Sequence, residues 1–243
     1  MIPSILNKFE PISLDQMDQV ALMKRKDTKF IIHAKQLTLI LQMVQSQYSI
    51  LEIDGNRLMT YISDYYDTKE HKFYLDHHNK ILRRTKVRIR NYVESGLFFL
   101  EIKQKDAKGN TLKNRIPRAA NENILSSKSE QFIKQIINQN LGLVKTLRNS
   151  FKRITLVNTA LKERVTIDLN IDYNGKILNP DLMIVELKQE KFNRQSPIVK
   201  ALRKESIYPY SISKYCIGLA SIYPKLKQNH FKQKISTITK LTA

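Results

Sequence analysis

The sequence predicts an α+β fold in which long antiparallel strands carry charge on one face and apolar residues on the other, with helices flanking them. Three observations carry this expectation. From residue 82 to 190 the chain reads mostly as strands whose side chains alternate apolar and charged, the period of two that an extended backbone imposes. The charged positions are largely cationic: Lys86, Arg88 and Arg90 in KVRIRNY, then Lys103 and Lys105 beside Glu101 in FLEIKQK. Segments of helical period stand before, between and after the strands.

The elements follow in order. Ser13 and Gln16 stand at capping-box spacing and open a short helix to about residue 22, with Leu14, Met17 and Ala21 inward. The basic cluster KRKDTK leads into Phe30, Ile31 and Ile32, read as the first strand. Residues 35–47 form an amphipathic helix, its apolar positions interrupted by Gln36, Gln42, Gln45 and Gln47. Residues 48–66 read as two strands joined at Asp54-Gly55-Asn56, after which Asp67 and Glu70 start a short helix. Strands are expected over 82–93, 97–106 and 110–117, separated by the turns VESG and DAKGN. Phe132, Ile133, Ile136 and Ile137 recur at helical spacing within 121–140. Strands resume over 145–158, 163–173 and 176–190, with Asn174-Gly175 as a tight hairpin, and helices follow over 197–205 and 211–222. Residues 1–225 are read as one domain and 226–243 as a basic, loosely ordered tail.

Composition bounds the function. A chain of 243 residues, 42% hydrophobic, can bury one substantial core, and its net charge of +20 calls for an anionic partner. The single cysteine, Cys216, excludes an internal disulfide and suits a reducing compartment. No signal-peptide pattern opens the chain and no apolar run approaches the ~18 residues of a membrane span, so a cytoplasmic protein is expected. With six glycines there is neither a Walker-type nor a dinucleotide loop, so phosphates would be gripped by side chains.

The charged faces recur. Lys113 and Arg115 share one face of their strand, as do Arg164, Thr166 and Asp168, and Glu186 and Lys188. An open antiparallel sheet with one wet face is the plain reading. In it, Lys103, Lys105 and Lys188 are solvated, while Glu186 and Asp168 are salt-bridge partners. Against it, like charges opposite one another at ~5 Å cost about 3 kcal/mol at an effective dielectric near 20, before salt screening. The alternative is a closed antiparallel β-barrel with the cations lining its bore, relieved by a chain of phosphates. Glu186, with Glu101 and Asp168 as further candidates, could then hold a hard divalent ion. Lys24, Arg25 and Lys26 suit either a tunnel mouth or a surface cluster. His33, His71, His77, His78 and His230 show no metal spacing. Tyr65-Tyr66 and Phe98-Phe99 read as core.

The runs KRKDTKFIIH, KVRIRNY, FLEIKQK, RVTIDLNI, IVELKQE and SKYCIGLA, in that order along nearly the whole chain, resemble the VTC domain. This is the polyphosphate polymerase domain of the vacuolar transporter chaperone type, within the CYTH-like triphosphate tunnel superfamily, here in its bacterial stand-alone form. The resemblance implies a closed tunnel barrel that makes inorganic polyphosphate from ATP with a divalent metal, Mn2+ ahead of Mg2+. It implies that Lys29, Arg88, Arg90, Lys103, Lys113, Arg153 and Arg164 contact the phosphates, that Glu186 binds the metal and that Lys214 stands near the tunnel end. Lys105, Arg115 and Lys188 extend the phosphate-binding set by their place on the same strand faces. Three departures stand out. The ExExK signature of many relatives is replaced by KRKDTKF, and Phe151 occupies a position expected to be tyrosine, which leaves Arg148 as a rival to Arg153. No membrane span or SPX-type regulatory segment is seen. A tunnel triphosphatase is the alternative function, and a non-catalytic binder of polyphosphate or nucleic acid the second. No nucleic-acid partner is expected, because few aromatics are interleaved among the cations.

Overall fold

The charged strands foreseen from the alternation belong to one curled sheet. The computed structural model describes residues 2–18, 26–119 and 125–241. Among these are the strands β1 (Glu10–Ile12), β2 (Lys26–His33), β3 (Ser49–Leu51), β4 (Met59–Asp67), β5 (Arg84–Tyr92), β6 (Leu97–Lys105), β7 (Thr111–Arg118), β8 (Val144–Asn158), β9 (Glu163–Tyr173), β10 (Lys176–Ile177) and β11 (Leu182–Gln189). The helices are α1 (Ile2–Leu6), α2 (Leu14–Asp18), α3 (Ala34–Val44), α4 (Lys72–His78), α5 (Ser127–Ile137), α6 (Pro197–Lys204), α7 (Lys214–Ile222) and α8 (Lys232–Lys240). Lys24 and Arg25 lie outside the described residues.

The main path of the sheet is β2-β11-β9-β8-β4-β5-β6-β7, antiparallel throughout. Its two ends, β2 and β7, do not pair with each other, which corrects the expectation of a closed barrel to a curled, open one. The edge strand β7 is ill suited to close the ring: it carries Lys113, Arg115 and Arg118, and Pro117 has no N–H to give to a ladder. The curl nonetheless brings the two sides together, since Lys103 of β6 reaches within 4.0 Å of Asp27 on β2.

The apolar faces lie outward, as the barrel reading required, and helices cover them. Phe30, Ile32, Leu156, Val165, Ile167, Val185 and Leu187 pack under Leu37, Ile40 and Leu41 of α3 and Ile198, Val199 and Leu202 of α6. Val87, Ile89, Leu100 and Ile102 pack against Phe73 of α4 and Ile133 of α5. The concave face is divided. One end is apolar, formed by Tyr61, Tyr65, Leu147, Phe151, Ile171, Tyr173 and Ile184, and α7 fills it with Tyr215, Cys216 and Leu219. The cations occupy the rest of this face, up to the N-terminus of α7. Gly218 lets α7 seat this closely: a Cβ there would stand 2.5 Å from the Tyr173 ring and 2.8 Å from Leu147. Gly218→Ala is therefore expected to lower unfolding stability by about 1–3 kcal/mol, read as an earlier urea midpoint. An unchanged midpoint would mean that α7 does not seat against β8 and β9.

Several local expectations are borne out and others corrected. Ser13 and Gln16 exchange the two bonds of a capping box, at 2.9 and 3.2 Å. The first strand is longer than its apolar run, because Asp27 and Lys29 are paired with β11 as well. Asp67 caps α4 from the end of β4, accepting from the backbone of Thr68, Phe73 and Tyr74, rather than through a box with Glu70. The strand expected over 176–190 is broken into β10 and β11 around Pro180, which cannot donate. The tail is not loose. It forms α8, with Ile238 buried and its carbonyl accepting from Asn179. Charge hides this helix in the sequence, since its apolar face is only Ile235 and Ile238 among lysines and threonines. No described helix is long and apolar enough to cross a membrane.

Candidate active site

Strand pairing sets the predicted cations side by side. Along the path, Lys29 lies opposite Glu186, Glu186 opposite Thr166, and Asp168 opposite Arg153. Further on, Ser63 faces Arg90, Arg88 faces Glu101, Glu101 faces Arg115, and Lys103 lies between Lys86 and Lys113. The alternation that made these residues look amphipathic in sequence places all of them on the concave face.

Two carboxylates organise the floor. Glu101, 2% exposed, accepts from Arg88 at 2.8 and 2.6 Å, from Lys113 and from the Tyr92 hydroxyl. Asp168, 1% exposed, accepts from Arg153 at 2.6 and 2.9 Å and from Lys214 at the start of α7. Burial opposes the charge of both, yet Arg88 beside Glu101 and Arg153 beside Asp168 hold each carboxyl below its usual range, Asp168 at about 2. Both oxygens of each carboxylate are occupied by cations of the protein.

Glu186 is different. It is 16% exposed, and its Oε1 accepts from Lys29 at 2.7 Å while Lys188 stands 3.6 Å from Oε2. Burial works against its ionisation, but Lys188, Lys29 and Lys214 keep it well below the ordinary carboxylate value. It is an ionised oxygen donor facing the bore.

Arg90 is bonded to a neutral group. It is 7% exposed, and its Nε donates to the neutral Ser63 hydroxyl at 3.1 Å. Its guanidinium lies 5.5 Å from the Tyr61 ring centre, 5.8 Å from Phe151 and 6.0 Å from Tyr92. Burial, then the neighbouring Arg88 and Arg153, pushes its pKa down despite Glu101. Burial likewise brings the Lys113 ammonium down to about 8, against the pull of Glu101. Burial and neighbouring like charge both make these cations costly to keep ionised.

The remaining predicted residues spread along the same face. Lys105 lies opposite Arg84, and Arg115 sits over the Phe99 ring at 4.6 Å. Arg164 lies further along β9 from Asp168, past Thr166 and opposite Lys188, and its guanidinium donates to the Met17 carbonyl at 3.1 Å. It therefore lines the bore away from the Arg88 and Arg90 pair. Arg153 and Arg148 point to opposite faces: Arg153 enters the bore, while Arg148 pairs with Asp64 at 2.8 Å on the outside. Among the described residues no group of three or more His, Cys, Asp or Glu is placed to hold a metal ion. The β4 contribution escaped the sequence reading. Ser63 and Tyr65 hold Arg90 and Arg88, the Tyr65 hydroxyl accepting from Arg88 at 3.2 Å, and the signal was the alternation of Tyr61, Ser63 and Tyr65. A cavity of about 420 Å³ between α3 and α6, lined by Met43, Pro197 and Lys200 among others, lies on the outer side and holds none of these groups.

The chain thus folds as a curled antiparallel sheet with helices outside and cations on its concave face. The same architecture is seen in a candidate adenylate cyclase from Bacillus halodurans, 13% identical over 79% of this chain and 96% of that one, with a TM-score of 0.53. It is also seen in a candidate adenylyl cyclase from Hippeastrum described as having a dominant triphosphatase activity, 12% identical over 84% and 98%, with a TM-score of 0.53. At such identities the likeness is one of fold. Residues 24–223 match the model of the VTC domain, and the chain belongs to the VTC domain family. Among curated proteins no sequence matches.

Proposed function

We propose that this protein transfers the γ-phosphoryl group of ATP to a growing inorganic polyphosphate chain held in its bore. The observation that carries the reading is Arg90, nearly buried among Arg88 and Arg153 and bonded to a neutral hydroxyl. A phosphate chain supplies the charge that this cluster lacks. Membership of the VTC domain family, for which the sequence resemblance implies polymer synthesis, supports this reading.

In this reading Arg88, Arg90, Lys103 and Arg153 grip the reacting phosphates, the arginines through two-pronged bonds and the lysine as a point charge. Lys29, Lys105, Lys113, Arg115, Arg164, Lys188 and Lys214 hold the flanking parts of the chain. Glu186 fits a divalent cation, Mn2+ or Mg2+, because it is an ionised oxygen donor open to the bore and such ions bind through one or two carboxylates plus substrate phosphates. Such an ion would supply neutralising charge to the phosphate oxygens and to the departing ADP. Glu101 and Asp168 were candidates for the same role. Their oxygens are taken by Arg88, Lys113, Arg153 and Lys214, so they are better read as counter-ions that fix the arginines. A terminal phosphate oxygen of the acceptor chain attacks the γ-phosphorus of ATP in line, forming the new P–O–P bond as the β–γ bridge breaks and ADP leaves. The residues position the two reactants and stabilise charge, and no side chain need act as a nucleophile.

The Hippeastrum neighbour's described triphosphatase activity favours one second reading: water in place of the acceptor chain would make the same site a hydrolase. Incubation with ATP and Mn2+, or Mg2+, separates the two. Polymer is expected from the wild type, and Arg90→Ala is expected to lower its rate by about 10²–10³-fold, as for other lost transition-state contacts. Free phosphate without polymer would replace the polymerase reading with the triphosphatase, and intact ATP would overturn both.

A further inference from the structure

One end of the sheet, where β5 and β7 start and β6 stops, presents apolar side chains to solvent. Ile81 is 47% exposed, Leu82 65% and Leu112 62%, and none of them belongs to the core packed between the sheet, α4 and α5. Leu112 lies opposite Gln104 and Gln104 opposite Thr85, which puts it two strand spacings, about 10 Å, from the chain that leads from Leu82 into β5. The backbone builds this projection. Asn79 N–H donates to the Leu75 carbonyl at 2.8 Å and Ile81 N–H to the Asp76 carbonyl at 2.9 Å, closing α4, while Lys80 between them takes a left-handed φ of 61° that few residues other than glycine adopt.

Cations surround the three aliphatic groups. Lys80, Arg83 and Lys108 are exposed, and Arg84 faces Lys105 on the first rung of β5 and β6. Among the described residues no carboxylate pairs with any of these five. The acids of α4 and of the β6–β7 turn are spent elsewhere: Asp76 accepts from Lys72 at 2.7 Å, and Asp106 from the backbone and side chain of Asn110 at 2.8 and 2.9 Å. The opposite end of the same strands is built differently. Its turn also exposes Val93 and Leu97, but the charged residue between them is Glu94, which accepts from Thr60.

We propose that Ile81, Leu82 and Leu112, with the cations around them, dock this end of the protein on an anionic lipid surface. The aliphatic groups enter the headgroup boundary while the lysines and arginines meet lipid phosphates. A second copy of the chain is a poor occupant, because two such rims, each on a protein of net charge +20, repel. Single-stranded nucleic acid is read on aromatic platforms, and the three exposed groups are aliphatic. The inference goes beyond the reading of the bore and does not depend on it.

The chain has no tryptophan, so Leu82→Trp places a single reporter in the loop. On vesicles of equal parts phosphatidylcholine and phosphatidylglycerol its emission is expected to shift to the blue and to be quenched by lipids brominated in their acyl chains. Val93→Trp, on the opposite turn, should keep its spectrum. Cosedimentation with the same vesicles reads affinity: Leu82→Gln/Leu112→Gln is expected to weaken it about tenfold, through the loss of two aliphatic groups from the lipid, and Val93→Gln/Leu97→Gln by less than a factor of about two. Both pairs lie in solvent, so the fold is spared. No binding by the wild type, equal binding to vesicles of phosphatidylcholine alone, an unshifted Leu82→Trp spectrum or equal weakening by the two double variants overturns the proposal. A single-stranded oligonucleotide whose binding Leu82→Gln/Leu112→Gln weakens as much would assign the surface to nucleic acid instead.

Discussion

Glu101→Gln is expected to lower the melting temperature by roughly 10 °C, the largest stability effect of any single substitution in the bore. Glu101 is 2% exposed and is the shared counter-ion of Arg88 and Lys113, with Arg90 close by. Breaking a buried pair from one side leaves uncompensated charge and costs about 3–5 kcal/mol, and in a domain of this size each kcal/mol moves the melting point about 2–4 °C. Gln keeps the shape and one acceptor oxygen, so the loss reports charge and not a cavity. Tripolyphosphate should stabilise the variant more than it stabilises the wild type, because the ligand supplies the missing negative charge. Differential scanning calorimetry with and without tripolyphosphate measures both quantities. A melting point unchanged by the substitution would show that Arg88 and Lys113 are solvated, and the enclosed-site reading would go with it.

Glu186→Gln is expected to do the opposite: to spare the fold and remove the chemistry. Gln can still accept from Lys29, and Lys29 itself is partly exposed, so the melting point should move by only a few degrees. The metal-dependent rate should fall by about 10²–10³-fold, since a carboxylate that holds a divalent ion contributes several kcal/mol of charge stabilisation. Tripolyphosphate binding in metal-free buffer should be undiminished, because the substitution removes a negative charge from a site for anions. Full activity in this variant would place the metal elsewhere. Activity lost together with metal-free binding would make Glu186 a support for Lys29 and Lys188 and not a metal ligand.

How much of this was legible before folding differs from element to element. Arg88 and Arg90 were legible because KVRIRNY alternates cleanly, and alternation alone dictates which side chains share a face. The same rule grouped Glu101 with Lys103, Lys113 with Arg115, Asp168 with Arg164, and Glu186 with Lys188, each on the charged face of its own strand. It also separated Arg153 from Arg148 in principle, since an odd number of positions lies on opposite faces, although the nearby bulge between Ser150 and Lys152 shows how easily such counting slips. The order of the strands could not be read. That β11 inserts between β2 and β9, so that Glu186 meets Lys29, is a long-range pairing with no local signature. Ser63 and Tyr65 were overlooked for the same reason: their partners Arg90 and Arg88 lie on another strand.

The sequence by itself determined that this chain would make amphipathic strands with cationic faces and raised the expectation of an anionic partner, because strand periodicity and net charge are local or additive properties. Only the tertiary structure decided that the sheet curls without closing, that Glu101 and Asp168 are held by arginine and lysine almost out of water while Glu186, paired with Lys29 and Lys188, stays 16% exposed, and that the basic tail folds as α8 with Ile238 buried. Those outcomes depend on which distant groups meet and how far each is withdrawn from water. Neither quantity is carried by any one stretch of chain.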